Sequence, residues 1–153
     1  MKILVLSDSH GDVDRCARCV EAVQPDHILH LGDCIRDAWH LQERFPHIPM
    51  DAVPGNCDWR MEQDQEERLL ELGGVRILMM HGHSRHVKFG HLAVCYAARE
   101  MDAQILLFGH THQPLVDFDG ALWVLNPGSV RDRDTYGVIT IEPEKVICST
   151  YRL

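Results

Sequence analysis

The chain has 153 residues, 45% hydrophobic and 25% charged, which is ordinary for a globular protein and predicts one domain over residues 1–153. Its formal net charge of −8 argues against long DNA or RNA as a partner, because such binding comes largely from cationic side chains on phosphates. No apolar run approaches the roughly 20 residues of a membrane-spanning helix, and no signal peptide is recognisable. We therefore expect a cytoplasmic protein with no membrane partner.

The first half of the chain alternates short apolar runs with segments of helical periodicity. Strands are predicted at 1–6, 27–31 and 51–53, and helices at 12–23 and 36–45, with Asp12 as the N-cap of the first helix. This βαβαβ order with short connections indicates a largely parallel sheet with right-handed crossovers.

Six cysteines in a chain without an export signal are expected to be reduced thiols. Cys16 and Cys19 form a single CxxC pair inside the first predicted helix, where Cys16 shares a face with Val20 and Val23. A lone pair of this kind is weak evidence for a metal or redox site, so we favour thiols that pack the helix.

The second half of the chain contains more predicted strands. Residues 61–68 are polar and acidic, which suggests an exposed loop or a short helix, and Gly73-Gly74 joins 69–72 and 75–80 in a hairpin. A long helix is predicted over 87–101, followed by strands at 105–108, 122–125, 137–141 and 146–150.

Five of the predicted strands end in loops that combine glycine with His, Asp or Asn. Because the carboxyl ends of parallel strands share one edge of a sheet, these loops are expected to converge. Glycine beside the polar residues lets the backbone turn sharply and approach a bound ion. The side chains are Asp8 and His10, Asp33, Asn56 to Asp58, His81 and His83, and His110 and His112.

These residue types suit a pair of metal ions. A mixture of carboxylate, amide and imidazole groups favours Mn, Fe, Zn, Ni or Co and contains too many imidazoles for Ca or Mg. Seven ligands exceed one open tetrahedral site but suit two ions if Asp33 bridges, and two ions form a clamp used in phosphoryl hydrolysis. Singly, Asp33 could instead cap a helix, and His81 or His83 could be a surface residue. The predicted ligands are Asp8, His10, Asp33, Asn56, His81, His110 and His112.

In this order, the motifs D-x-H, GD, GN-x-D, HGH and GH-x-H resemble the calcineurin-like metallophosphoesterase superfamily. The GNCD and NPGS sequences, at 55–58 and 126–129, resemble its small bacterial and archaeal phosphodiesterases. The resemblance implies an α/β fold, a four-layer sandwich of two mixed β-sheets flanked by helices. It also implies two divalent ions, most commonly Mn, on two ligand sets that share Asp33. These sets are Asp8, His10, Asp33 and His112, and Asp33, Asn56, His81 and His110.

The chain departs from the superfamily pattern at Cys57. Many members carry His at this position, where it can protonate the leaving oxygen, and a thiol is a poorer match for that role near neutral pH. His83 is our first candidate for the replacement acid, and Cys57 and His83 are both expected to contact substrate. Asn56 and Asp58 complete the predicted catalytic set, with Asp58 expected to orient a neighbouring group.

These expectations combine in a metal-dependent phosphoesterase that hydrolyses small phosphodiesters by attack of a metal-bridging hydroxide. The alternatives are a phosphomonoesterase or nuclease with the same site, or a non-catalytic scaffold like the retromer subunit that shares this fold. A third alternative, a zinc or redox protein built on Cys16 and Cys19, is weaker. The sequence leaves open the physiological substrate and the oligomeric state, including a homo-oligomer.

Overall fold

The computed structural model describes residues 1–59 and 65–153, and the predicted segment 61–68 therefore falls partly outside the described residues. Glu67 and Arg68, at the end of that segment, belong to a strand rather than to a loop or helix. The first half contains β1 (Lys2–Leu6), α1 (Val13–Val23), β2 (His27–His30), α2 (Ile35–Arg44) and β3 (Met50–Ala52). The second half contains β4 (Glu67–Leu72), β5 (Val75–Met80), α3 (Leu92–Glu100), β6 (Ile105–Leu107), β7 (Leu115–Phe118), β8 (Trp123–Asn126), α4 (Val130–Arg133), β9 (Thr135–Glu142) and β10 (Lys145–Arg152).

The strands form two mixed five-stranded sheets. The first has the order β10-β9-β1-β2-β3, and the second has the order β4-β5-β6-β8-β7. In each sheet three strands are parallel, β1 to β3 in the first and β5, β6 and β8 in the second, while the remaining strands pair antiparallel. The predicted four-layer sandwich of two mixed sheets with helices outside is confirmed.

Alternating side chains place core residues on both faces of each sheet, because successive residues of a strand point to opposite sides. In β1, Ile3 and Val5 lie in the core between the sheets, whereas Leu4 and Leu6 pack in the layer beneath α1. The strands β5 and β6 alternate in the same way between the central layer and the layer beneath α3. Strands buried on both faces explain why the sequence shows continuous apolar runs here.

Cys16 and Cys19 lie in the apolar layer between α1 and the first sheet. Both are buried free thiols, and burial raises the pKa of each. This is the packing role that the helical pattern favoured. Within the described part of the chain, no helix has the length and apolar character needed to cross a bilayer.

The predicted helix over 87–101 is wrong in its first part. Residues 83–89 form two short 3₁₀ turns, and α3 begins only at Leu92. His86 adopts a left-handed φ of 54° and Gly90 a φ of 145°, and neither conformation fits an α-helix. Val87 is nevertheless buried, so its apolar character reflected packing rather than helical periodicity.

Two short elements were not predicted. The strand β7 lies at the edge of the second sheet and is largely exposed, so it lacks the alternation that marks a half-buried strand. The helix α4 has four residues, too few to display a helical period.

The central layer should dominate the stability of the fold. Leu107→Ala removes a fully buried side chain from this layer, and we expect it to lower the free energy of unfolding by about 2–5 kcal/mol. Leu92→Ala makes the same chemical change at a residue that is 82% exposed, and should change stability by less than about 0.5 kcal/mol. Urea unfolding of both metal-free variants measures this difference, and equal shifts of the midpoint would contradict the assignment of the core.

Candidate metal centre

Loops from both sheets bring six predicted ligands together at one edge of the sandwich. The carboxylate and imidazole ligand atoms of Asp8, His10 and His112 lie within 4.8 Å of one another. Those of Asp33, His81 and His110 form a second group with the same spacing. The residues follow β1, β2, β5 and β6, so the parallel strands of the two sheets bring these side chains together.

The Asp8 carboxylate is held so that one oxygen faces the cluster. Its Oδ2 accepts hydrogen bonds from the Ser7 hydroxyl, at 2.6 Å, and from the backbone N–H of His110, at 3.2 Å. Its Oδ1 lies 3.0 Å from Nε2 of His112 and is fully buried. One oxygen is thus used for positioning and the other is directed at the imidazoles.

Asp33 has the same division between its two oxygens. Its Oδ1 accepts from the backbone N–H of Cys57 at 3.0 Å, while its Oδ2 lies 3.5 Å from Nε2 of His81 and 3.9 Å from Nε2 of His10. Burial opposes ionisation, but the His81 ring and the Cys57 N–H outweigh it and hold the pKa of Asp33 well below its usual value. A single anionic oxygen therefore lies between the two groups of imidazoles.

The loops that carry these residues have unusual backbone conformations. A left-handed φ is uncommon outside glycine, costs energy, and clusters at functional sites. Two glycines let the loops approach closely, because a Cβ on Gly55 would lie 2.1 Å from Oδ1 of Asp33, and one on Gly109 would lie 2.1 Å from the Ser7 hydroxyl oxygen. The left-handed residues of the cluster, with φ between 44° and 66°, are Asp8, His10, Asp33, His110 and His112.

Two imidazoles are oriented by hydrogen bonds from their outer nitrogens. The Leu31 carbonyl can only accept, so Nδ1 of His81, at 2.8 Å, carries the donating hydrogen and Nε2 faces the cluster. Nδ1 of His112 donates to Oδ2 of Asp132 at 2.7 Å, which leaves Nε2 directed toward Asp8. A carboxylate or carbonyl behind the imidazole is the usual way to orient a metal-binding His.

Asp132 was missed by the sequence analysis, and Ser129 and Asn126 were noted only as part of the NPGS motif. The Ser129 hydroxyl donates to the Asp8 carbonyl at 2.9 Å and accepts from the Asp132 N–H, so it joins α4 to the first loop. The Asn126 amide donates to the carbonyl of Gly109 and to the hydroxyl of Thr111, which fixes the loop between the two histidines. The Ser129-x-x-Asp132 spacing matches a helix-capping pattern, and this signal could have revealed the short helix.

The surroundings of the cluster shift the pKa values of two of its imidazoles in opposite directions. Burial disfavours the charged form of His81, but the carboxylates of Asp33 and Asp8 outweigh it and raise its pKa above the usual value. Burial, together with the charges of His81 and Lys88, lowers the pKa of His110 to about 4. His110 is therefore neutral near pH 7 and presents a lone pair, whereas protons compete with a cation for His81 at a higher pH than for an ordinary imidazole.

The donor set fits a metal ion. Oδ1 of Asp8 and Nε2 of His10 are buried and have no hydrogen-bond partner among residues 1–59 and 65–153. Buried polar atoms of native proteins are almost always satisfied, and a bound ion is one explanation of the exceptions. Mixed carboxylate oxygens and imidazole nitrogens suit first-row transition ions.

The remaining predicted site residues occupy different positions around the cluster. Oδ1 of Asn56 lies 3.1 Å from Nε2 of His81, beside the second group. The thiol of Cys57 is grouped with His10 and Asp33 within 4.8 Å. The His83 ring lies 5.5 Å from that of His81, centroid to centroid, and its Nε2 is 3.7 Å from Oε1 of Glu66.

Asp58 does not face the cluster. Its carboxylate accepts from the backbone N–H groups of Asp33, Ile35 and Gly55, at distances of 2.8–3.1 Å. It therefore caps the start of α2 and fixes the peptide that carries Asp33. The Asp58 side chain thus makes the capping hydrogen bond to α2, whereas Oδ1 of Asp33 accepts from the Cys57 N–H instead.

The chain resembles known phosphoesterases over almost its whole length. It is 33% identical to the probable metallophosphoesterase YsnB of Bacillus subtilis, over 99% of this chain and 90% of that protein. It is 27% identical to the phosphodiesterase YfcE of Escherichia coli, over 96% of each chain.

Solved structures show the same architecture. A predicted phosphoesterase of Streptococcus pneumoniae superposes with a TM-score of 0.82 and 29% identity, over 99% of this chain and 88% of that one. Vacuolar protein sorting 29 of Cryptosporidium parvum superposes with a TM-score of 0.83 over 99% and 91%, and its 17% identity shows a shared fold alone. The family model of the calcineurin-like phosphoesterase superfamily domain matches residues 1–144, and the chain belongs to that superfamily.

Proposed function

We propose that this protein is a dinuclear metal-dependent phosphodiesterase that acts on small phosphodiesters. The observation that carries the proposal is the position of the Asp33 carboxylate, whose Oδ2 lies within 4 Å of imidazoles from both ligand groups. One shared carboxylate oxygen between two sets of nitrogen ligands suits two closely spaced divalent cations. The relative named as a phosphodiesterase supports the choice of a diester over a monoester.

Seven residues would hold the two ions. When bound, the ions supply Lewis-acid charge that lowers the pKa of a water and neutralises the non-bridging phosphate oxygens. Manganese is our proposed ion among those that the donor set accepts. The first site would use Asp8, His10, Asp33 and His112, and the second Asp33, Asn56, His81 and His110.

Hydrolysis forms one P–O bond to the oxygen of water and breaks one P–O bond to an alkoxide or aryloxide, which takes up a proton. Cys57 is a poor source of that proton, because burial and the charge of Asp33 raise its pKa. His83 is our proposed acid, since its ring lies beside those of His81 and His110 and its side chain remains partly exposed. The thiol of Cys57 would then contact substrate as a neutral group.

Two broader expectations accompany this function. We propose that residues 1–153 work as one domain, because loops from both sheets supply side chains to the same cluster. We also propose that the protein works in the cytoplasm, where its free thiols stay reduced.

A panel of chromogenic esters tests the proposal directly. Metal-reconstituted protein should hydrolyse bis(p-nitrophenyl) phosphate faster than p-nitrophenyl phosphate, since the two share a leaving group and differ in the second ester arm. Metal analysis should find two transition ions per chain. Faster turnover of the monoester would favour a phosphomonoesterase, and no turnover of any ester by the metal-replete protein would favour a non-catalytic scaffold.

Asp33→Asn should remove most of the activity while leaving the fold intact. The amide has no negative charge to share between two ions, so we expect a loss of about 10²- to 10³-fold in kcat/KM and fewer than two bound ions. Asp12→Asn is the matched control, because Asn also caps a helix and Asp12 lies at the N-cap of α1. Retained turnover in metal-replete Asp33→Asn protein would contradict a shared carboxylate.

Asp132→Asn should weaken the first metal site, although Asp132 itself would not contact an ion. The amide can no longer hold His112 with an anionic acceptor, and loss of such a support usually costs about 10- to 100-fold in metal affinity or activity. Asp134→Asn provides a neighbouring control, because Asp134 pairs with Arg15 instead. Equal metal affinity in the two variants would exclude this role for Asp132.

Metal affinity should fall as the pH is lowered from about 8 to about 5, the range around the ordinary His pKa. Lowering the pH adds a proton to His81, whose pKa is raised, and the ion must displace that proton. His110, with a pKa of about 4, stays neutral across most of this range and contributes little. Calorimetric titration in buffers of different ionisation enthalpy should detect proton release on binding, and a constant affinity without proton release would refute this account.

A further inference from the structure

A pocket of about 340 Å³ opens beside the metal centre, a volume within the range of small-molecule sites. One wall comes from the start of α2 and the other from the loop after β3. Trp39 and Trp59 supply large aromatic surfaces, and Arg36 supplies a positive charge. Among the described residues, Cys34, Ile35, Cys57 and Asp58 also line the pocket.

The pocket and the cluster share Cys57. This residue lines the pocket, and its thiol belongs to the group with His10 and Asp33 whose ligand atoms lie within 4.8 Å of one another. A phosphate at the metal centre would therefore place one of its ester arms at the mouth of the pocket.

Asp58 fixes both walls relative to each other. Its carboxylate accepts from Gly55 in the loop after β3, and from Asp33 and Ile35 at the start of α2. Three N–H donors also spread the negative charge of Asp58, so this side chain repels a phosphate less than a bare carboxylate would. A pocket with fixed walls loses little conformational freedom on binding, which favours affinity.

The exposed aromatic rings indicate what the pocket binds. The Trp39 side chain is 49% exposed and that of Trp59 is 93% exposed, so both present apolar surface to solvent. Indole rings stack well on planar aromatic groups, and such stacking is largely independent of the identity of the base. Arg36 and Trp39 lie on one face of α2 at i, i+3, which places a positive charge beside the ring in a chain of net charge −8.

We propose that this pocket binds the aromatic arm of the substrate, a nucleobase joined through its ribose to the phosphate at the metal centre. The inference rests on the proposed phosphodiesterase function and names its substrate class as small nucleotide diesters. A single nucleotide brings one ring and little negative charge, whereas a long nucleic acid would bring many phosphates to an acidic chain.

The test compares two cyclic diesters with the same five-membered ring around phosphorus. One is adenosine with a cyclic phosphate across its two ribose hydroxyl groups, and the other is the cyclic phosphate of glycerol, which has no base. Phosphorus NMR follows ring opening of both by metal-loaded protein. We expect kcat/KM to favour the adenosine compound by about tenfold or more, as stacking of one base on an aromatic side chain allows.

Two substitutions of Trp39 test whether the pocket causes the preference for the adenosine compound. Trp39→Ala should lower the ratio of the two kcat/KM values at least about fivefold, mainly through the KM of the adenosine compound, and Trp39→Phe should retain most of the ratio. Phe89→Ala is the matched control, because Phe89 is 91% exposed and lines a different pocket of about 490 Å³. No preference in the wild type, an unchanged ratio in Trp39→Ala, or a ratio lost in Phe89→Ala would overturn the proposal.

A binding measurement separates this inference from the proposed function. Adenosine monophosphate should quench the tryptophan fluorescence of metal-loaded protein saturably, ribose phosphate should not, and Trp39→Ala should lose the response. Quenching without hydrolysis of either diester would reject the phosphodiesterase function and leave the pocket assignment standing. Hydrolysis of both diesters without quenching or preference would reject the pocket alone.

Discussion

Two buried carboxylates at the meeting point of the sheets determine the chemistry of this molecule. Asp8 and Asp33 are almost fully buried, and burying an anion is costly unless other groups compensate its charge. Each carboxylate gives one oxygen to N–H or O–H donors and directs the other at imidazole nitrogens. This edge of the fold therefore depends on two kinds of compensation: hydrogen bonds to one oxygen of each carboxylate, and cations beside the other oxygen.

The fold satisfies that condition by bringing together loops from both sheets, because neither sheet carries all of the clustered side chains. The first sheet provides both aspartates and the Asn56 loop, and the second provides His81 and the paired histidines after β6. The apolar layer between the sheets holds these loops in register, since its residues are among the least exposed in the protein. Dense packing of this kind allows strained left-handed backbone to persist at the ligands.

The sequence located the candidate ligands better than the residues that orient them. The candidate ligands could be found because each lies in a glycine-containing loop that follows an apolar run, which is a local signal. Asp132 could not be found in the same way, because its partner His112 lies twenty residues earlier and only tertiary structure brings them together. Likewise, Asp58 was recognised as part of the GNCD motif. Its orientation toward three backbone N–H groups, however, depends on how the loop after β3 meets α2.

The same contrast between local and tertiary signals accounts for the errors in the predicted secondary structure. The first three parallel strands gave apolar runs in the sequence, and the βαβαβ order that they form with α1 and α2 was predicted correctly. The start of α3 was wrong because burial of Val87 produced an apolar position without a helix, in a segment with left-handed backbone at His86. The edge strand β7 and the short helix α4 gave no periodic signal, so they emerged only from their contacts.

The hydrogen bond from Ser129 to the Asp8 carbonyl has a consequence for how the protein is made. It joins residues 121 positions apart, and β1 pairs with β9 across a similar separation. Contacts this distant in sequence slow folding, because the loop between them must close before they form. A nascent chain that has emerged only as far as β6 lacks the segment that supports the first aspartate and His112. The cluster of aspartate and histidine side chains can therefore be completed only after most of the chain has been made.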